Sequence, residues 1–199
     1  MSDCQVVLAS NNAGKLKEFS AILSRVGITM VAQGDLGVPE AEEPFCTFIE
    51  NALTKARHAS RQTGLPALAD DSGLCVDSLD GAPGVYSARY ALRNGGEKSD
   101  AANNRYLIQA LAGHDNRSAS YVAVLVYLRS ADDPQPIVAE GIWKGEIVDK
   151  PRGIAGFGYD PHFYLPDLGK TVAELAPAEK NRLSHRAQAL VKLLQVLQA

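Results

Sequence analysis

The stretch Ala67–Leu74, ALADDSGL, places two adjacent carboxylates, a hydroxyl and a glycine directly after three apolar residues. The run LPALAD, residues 65–70, reads as a buried strand with Asp70 and Asp71 at its end. Two like charges in a low-dielectric setting raise each other's pKa and cost stability. A compensating charge is therefore expected beside them, and a metal ion is the first candidate.

Working outward, the preceding residues read as β-α-β. QVVLAS (5–10) is a short apolar strand, and NNAGK (11–15) is a turn. LKEFSAILSRVG (16–27) puts Leu16, Phe19, Leu23 and Val26 on one helical face and closes on Gly27, a natural left-handed cap. ITMVAQ (28–33) is the next strand, and GDLGVPEAEEP (34–44) is an acidic loop. Thr47 and Glu50 have capping-box spacing, with Thr47 at the N-cap. Phe48, Ile49, Ala52, Ala56 and Ala59 then form a helical stripe ending before Gly64. Beyond ALADDSGL, residues 80–96 are rich in loop formers, and residues 100–113 read as a helix. ASYVAVLVYLR (119–129) is the longest apolar β-run and so a central strand, with residues 136–148 as its hairpin neighbour. Residues 153–160 form a loop dense in glycine and aromatics. HRAQALVKLLQVL (185–197) is an amphipathic helix carrying Ala187, Leu190, Val191, Leu194 and Leu197. The order predicts an α/β fold, a mixed sheet with flanking helices, without repeat or flexible linker.

The totals narrow the function. The 199 residues suffice for one large domain with a substantial core, and 46% hydrophobic with 22% charged residues is ordinary for a globular chain. A net charge of −3 without a Lys/Arg-rich run argues against a nucleic-acid surface. No apolar stretch is long enough to span a bilayer, and the opening residues MSDCQVVLAS lack the pattern of a secretory leader, so a cytoplasmic protein is expected. Cys4, Cys46 and Cys75 form no C-x-x-C pair, which predicts reduced thiols and no zinc site.

Several constellations can carry chemistry. Ser10, Asn11, Asn12, Ala13, Gly14 and Lys15 lie between a strand and a helix, where free N–H groups and the helix dipole attract phosphate. A plain helix cap would look the same, and the Walker spacing is absent. Glu42 and Glu43 end the acidic loop, and one carboxylate from there with one from Asp70/Asp71 would suit magnesium, which keeps several waters and shares substrate phosphates. Lys55 on the second helix can point at the same site. Phe157, Gly158, Tyr159 and Asp160 join aromatics to glycines, so a ring there can stack on a base. Lys180, His185 and Arg186 cluster at the start of the last helix. Together these features suit a nucleoside triphosphate with magnesium.

Six ordered blocks, SNNAGKLKEF, TFIENALTKA, ALADDSGLCVD, GAPGVYSARY, GFGYDPHF and EKNRLSHRAQAL, resemble the inosine/xanthosine triphosphate pyrophosphatase family over essentially the whole chain. The resemblance implies an elongated fold of two interdependent lobes, residues 1–199, around a long mixed sheet, with the active site in the cleft between them. It implies hydrolysis of ITP, dITP and XTP to monophosphate and pyrophosphate, a need for Mg2+, and a homodimer. It makes Asp71 the catalytic acid/base and a metal ligand. Glu43 is the second metal-side carboxylate, with Glu42 still open. The Ser10–Lys15 loop and Lys55 would hold the triphosphate, and Ser72 would touch the substrate. Phe157–Asp160, Lys180, His185 and Arg186 would bind the nucleoside. The competing readings are a phosphatase or pyrophosphatase for another modified nucleotide, and a nucleotide sensor without catalysis.

Overall fold

Alternation along β3 (Ala67–Val76) organises the sheet. Successive side chains of a strand point to opposite faces, and nearly every residue of β3 is buried, as expected of a strand covered on both sides. The structure, a computed structural model, describes residues 4–198; Met1–Asp3, part of the stretch read above as lacking a leader, lie outside them. β1 (Cys4–Leu8) runs parallel to β2 (Ile28–Ala32), from Cys4 opposite Ile28 to Leu8 opposite Ala32. It also runs parallel to β3, with Val7 opposite Ala67 and Leu8 opposite Leu68. Parallel neighbours need crossovers. These are α1 (Ala13–Leu23) and α2 (Phe48–Thr63).

The chain then gives α3 (Tyr90–Arg93), α4 (Asp100–Ala110), β4 (Ser118–Leu128) and β5 (Ile137–Ile147). β6 (Phe163–Leu165), β7 (Lys170–Thr171), α5 (Pro177–Leu183) and α6 (His185–Leu197) complete it. β5, β6 and β7 pair antiparallel in turn. The mixed sheet has the order β2-β1-β3-β4-β5-β6-β7, so the long apolar run is the central strand, with β5 beside it.

Two compact units share the chain. One runs through Asp71 and includes Ala123–Glu140 and the chain from Ala189; the other is Ser72–Val122 with Gly141–Gln188. The first packs Val6, Leu8, Phe19, Leu23, Leu68, Leu125, Leu190 and Leu193 into one core. The second packs Leu74, Val76, Leu107, Leu111, Tyr121, Phe163 and Leu165. Each such large side chain contributes about 1.5–3 kcal/mol by burial.

The elements depart from the sequence reading at several places, among them α3 within the loop-rich residues 80–96. β3 does not stop at the acids but continues through them to Val76. α1 starts at Ala13, because the Asn12 side chain caps it by accepting the Lys15 N–H at 3.0 Å. Ile49 and Val191 are exposed, at 46% and 55%: Val191 lies one residue, about 100°, past the buried Leu190, and Ile49 two residues, about 200°, before the buried Asn51, so both fall off the apolar stripe. A separate short helix, α5, begins with Pro177, whose missing N–H is harmless in a first turn. It is broken from α6 by the extended Ser184. No helix among the described residues is long and apolar enough to cross a membrane.

Candidate active site

In the first unit, β3 sends Asp70 and Asp71 to opposite faces, and each meets its own lysine. Asp70 Oδ2 lies 2.9 Å from Lys15 Nζ, with the aspartate side chain fully buried. On the other face, Lys55 Nζ donates to Asp71 Oδ1 at 2.9 Å, to Glu43 Oε1 at 2.7 Å and to the Asp70 carbonyl at 2.9 Å. The expected compensation for the paired charges is thus supplied first by two ammonium groups. Lys55 projects inward because Ala52, Ala56 and Ala59 bury the same side of α2. Arg57, two residues on, is exposed.

Glu43 reaches this cluster because its loop is pinned. The buried Asn51 side chain takes the Phe45 N–H and donates to the Phe45 carbonyl, both at 3.1 Å. Glu42 is exposed. Burial pushes the Asp71 carboxyl above its ordinary pKa; Lys55 pulls it down, Glu43 and Asp70 push it up, and the net direction is upward. Burial pushes the Lys55 ammonium down, but Asp71 and Glu43 more than offset this, so its pKa is raised. Asp71 Oδ2 is buried with no hydrogen-bond partner, an oxygen available to a cation. Among the described residues no group of three or more His, Cys, Asp or Glu is placed to hold a metal on its own. Any hard cation here would rely on Asp71, Glu43 and ligands from substrate or water.

The loop before α1 is more committed than its sequence suggests. Ser10 Oγ accepts the Asn12 N–H at 3.2 Å, and the Asn11 side chain packs against Gly34, where a Cβ would stand 2.6 Å from Asn11 Oδ1. With Asn12 capping Lys15, the exposed Ala13 and Gly14 open the first turn, the part of a helix whose N–H groups suit an anion.

The second unit holds a pocket lined by Ser72, Tyr121, Phe157, Asp160, Lys180, His185 and Arg186, among others. Its residues have divided roles. Phe157 is 66% exposed, and Lys180 Nζ lies 4.4 Å from its ring centroid. Tyr159, offered with Phe157 as a stacking ring, is instead buried, and its hydroxyl donates to the Ser87 carbonyl at 2.8 Å. Burial raises its pKa far above the ordinary phenol value. Asp160 is buried and saturated from within: Tyr121 Oη donates to Oδ1 at 3.2 Å, the Phe157 N–H to Oδ2 at 2.9 Å, and Lys180 pairs with Oδ2. It shapes the loop. Arg186 reaches Ser72 Oγ at 3.3 Å. His185 stacks on Tyr121 at 4.9 Å, and Tyr121 on Phe163 at 4.4 Å.

Tyr121, Asp100 and Asn103 line this pocket, and Asn104 donates to the carbonyl of its Gly158; the sequence reading singles out none of the four. A tyrosine inside an apolar strand signals a hydroxyl in need of a partner, which could have flagged Tyr121. Asp100 read only as a helix-start residue.

The comparisons with known proteins agree over nearly the full length. The model of the Ham1 family matches residues 6–196. A dITP/XTP pyrophosphatase of Ralstonia nicotianae is 67% identical over 193 residues, covering 97% of this chain and 96% of that protein. One from Bordetella pertussis is 65% identical over 195 residues, covering 98% and 92%. The solved structure of a HAM1 protein from Coxiella burnetii superposes with a TM-score of 0.93 at 48% identity, covering 98% of both chains.

Proposed function

The chain belongs to the Ham1 family, and on that premise we propose that it hydrolyses deaminated purine nucleoside triphosphates (ITP, dITP and XTP) to the monophosphate and pyrophosphate. The full-length identity to proteins named dITP/XTP pyrophosphatase supports the activity. The observation that carries the residue assignment is the Lys55–Asp71–Glu43 cluster, one peptide bond away from the pocket residue Ser72.

In this reading Lys15, Lys55 and the loop Ser10–Lys15 take the triphosphate, and Phe157, Lys180, His185 and Arg186 take the nucleoside. The partnerless Asp71 oxygen and the neighbouring Glu43 fit a divalent cation such as Mg2+, since a hard cation is well served by one or two carboxylates with phosphate oxygens. Such an ion supplies charge neutralisation on the phosphates and polarisation of bound water. Asp71 orients the attacking water toward the α-phosphorus and accepts its proton, a task that its raised pKa suits. The lysines hold the charge that develops on the departing pyrophosphate, since phosphoryl-type transfer is mainly positioning and electrostatics.

The pocket's polar groups also bear on selection. Lys180 and Arg186 are donors, which match the 6-carbonyl of hypoxanthine and xanthine and leave the 6-amino group of adenine unpaired. The same reading includes a cytoplasmic homodimer, open to sedimentation analysis and cell fractionation.

The test is pyrophosphate release from ITP, dITP, XTP, ATP and GTP, with Mg2+ and with a chelator. Release confined to the first three and requiring the metal is expected. Orthophosphate as product, or equal rates on ATP and GTP, would overturn the reading.

A further inference from the structure

We infer that Asp100 and Asn104 are positioning residues for the base pocket, acting through the main chain of Gly158. The Gly158 N–H donates to Asp100 Oδ2 at 2.7 Å, and the Gly158 carbonyl accepts from Asn104 Nδ2 at 2.9 Å. Both main-chain polar groups of a single residue are therefore held by two side chains four residues apart, on one face of α4. The helix offering that grip is itself anchored: the buried Asn103 accepts the Ala91 N–H at 2.9 Å, tying α4 to α3.

The grip matters because of what Gly158 sits between. Phe157 precedes it, and that ring is too exposed for a core to fix its direction. Its direction follows from the turn that carries it. Asp160 holds one end of that turn by accepting the Phe157 N–H; Asp100 and Asn104 hold the next residue. Gly158 has φ +60°, and a Cβ there would meet nothing. The glycine serves the left-handed backbone rather than clearance, and the two α4 side chains select that conformation from the many open to glycine. The Asp100 bond is charge-assisted, the stronger kind. A ring held in its binding orientation before substrate arrives avoids an ordering cost on binding.

The inference rests on assigning the base to this pocket. If the grip acts by pre-ordering Phe157, its loss weakens substrate binding and leaves the chemistry at Asp71 alone. The experiment measures KM and kcat for dITP with saturating Mg2+ in the full-length enzyme and in Asp100→Ala, Asp100→Asn, Asn104→Ala, Asn104→Asp and Phe157→Ala variants. Asp100→Ala and Asn104→Ala are expected to raise KM about five- to tenfold, the worth of one net hydrogen bond, with kcat within about twofold. Asp100→Asn keeps an acceptor and recovers most of the loss; Asn104→Asp keeps the shape without the donor and recovers none. Should either alanine variant fail to fold by circular dichroism, the conservative pair decides. If Phe157→Ala leaves KM unchanged, the base assignment fails. If Phe157→Ala raises KM while the Asp100 and Asn104 variants match wild type, or lose kcat instead, the positioning inference alone is overturned.

Discussion

Replacing Lys55 by methionine keeps the aliphatic stem and removes the ammonium shared by Asp71, Glu43 and the Asp70 carbonyl. The side chains of Lys55 and Asp71 are each only 12% exposed, so solvent and salt screen the pair weakly. Removing one partner of a buried pair costs about 3–5 kcal/mol, and residual solvent contact lowers this case to about 2–3 kcal/mol at neutral pH. The deficit should depend on pH in a definite sense. Burial already raises the Asp71 pKa above its unfolded value, and Lys55 is the main influence pulling it back. Without Lys55 the folded-state value climbs further. A carboxyl raised in the folded state contributes stability that is full below its unfolded pKa and is lost as pH rises through the folded pKa. The variant's deficit should therefore grow from pH 5 to pH 7, by at most about 1.4 kcal/mol per unit. Lys55 itself, raised from 10.5, does not titrate in this window. Urea unfolding in chelator at both pH values reads the effect, with unchanged m-values as the check on two-state behaviour. The double variant Lys55→Met/Asp71→Asn should recover most of the loss. A deficit equal at both pH values, or no recovery in the double variant, would refute the reasoning.

Asp71→Asn is expected to lower kcat about 10²- to 10⁴-fold, the range of a lost general base, with the unfolding midpoint little changed; substantial turnover would remove Asp71 from its role. In wild type the acid limb of kcat/KM should lie above the ordinary aspartate value of 3.8, because burial raises Asp71, and a limb at or below that value would contradict this. Tyr121→Phe takes the hydroxyl donor from the buried Asp160 carboxylate and should cost about 1–3 kcal/mol in urea unfolding; a neutral substitution would mean that Asp160 is held without it. Gly156→Ala forces a side chain onto φ +79° and drives its Cβ into the Asp160 carboxylate. It should raise KM for dITP and shift near-ultraviolet circular dichroism from the aromatic loop, and an unperturbed KM would show that the turn tolerates rearrangement.

What the sequence made legible was whatever repeats with a period. The 3.6-residue stripe of α2 and the apolar run of β4 located both elements and the central place of the strand. Capping at Thr47 is visible as T-x-x-E, and the structure has the Thr47 side chain accepting the Glu50 N–H. The missed features are contacts between residues far apart in the chain, which no period encodes. Tyr121 and Asp160 are 39 positions apart, and Asp100 and Gly158 are 58. The two aromatics of the glycine loop differ in a way no period encodes either: only a fold can tell that Tyr159 turns inward to Ser87 while Phe157 stays in solvent.

The doubled aspartate shows how a local reading can be chemically sound and still leave open where each charge points. Adjacent like charges do need an opposing charge, but a strand separates consecutive side chains to opposite faces. Once β3 is seen to run through the acids, Asp70 and Asp71 cease to be one site. Each requires its own cation, and the two crossover helices provide one apiece, Lys15 from α1 and Lys55 from α2. Asp70 is thereby committed to Lys15, while Asp71 and Glu43, the two carboxylates expected at the metal, stand together around Lys55. The division also explains why the strand tolerates two buried acids at all. A one-residue slip of β3 would put one aspartate on the other's face and leave one lysine opposite Ala69 or Ser72, so only the native register satisfies both ion pairs on the strand that carries the proposed catalytic group.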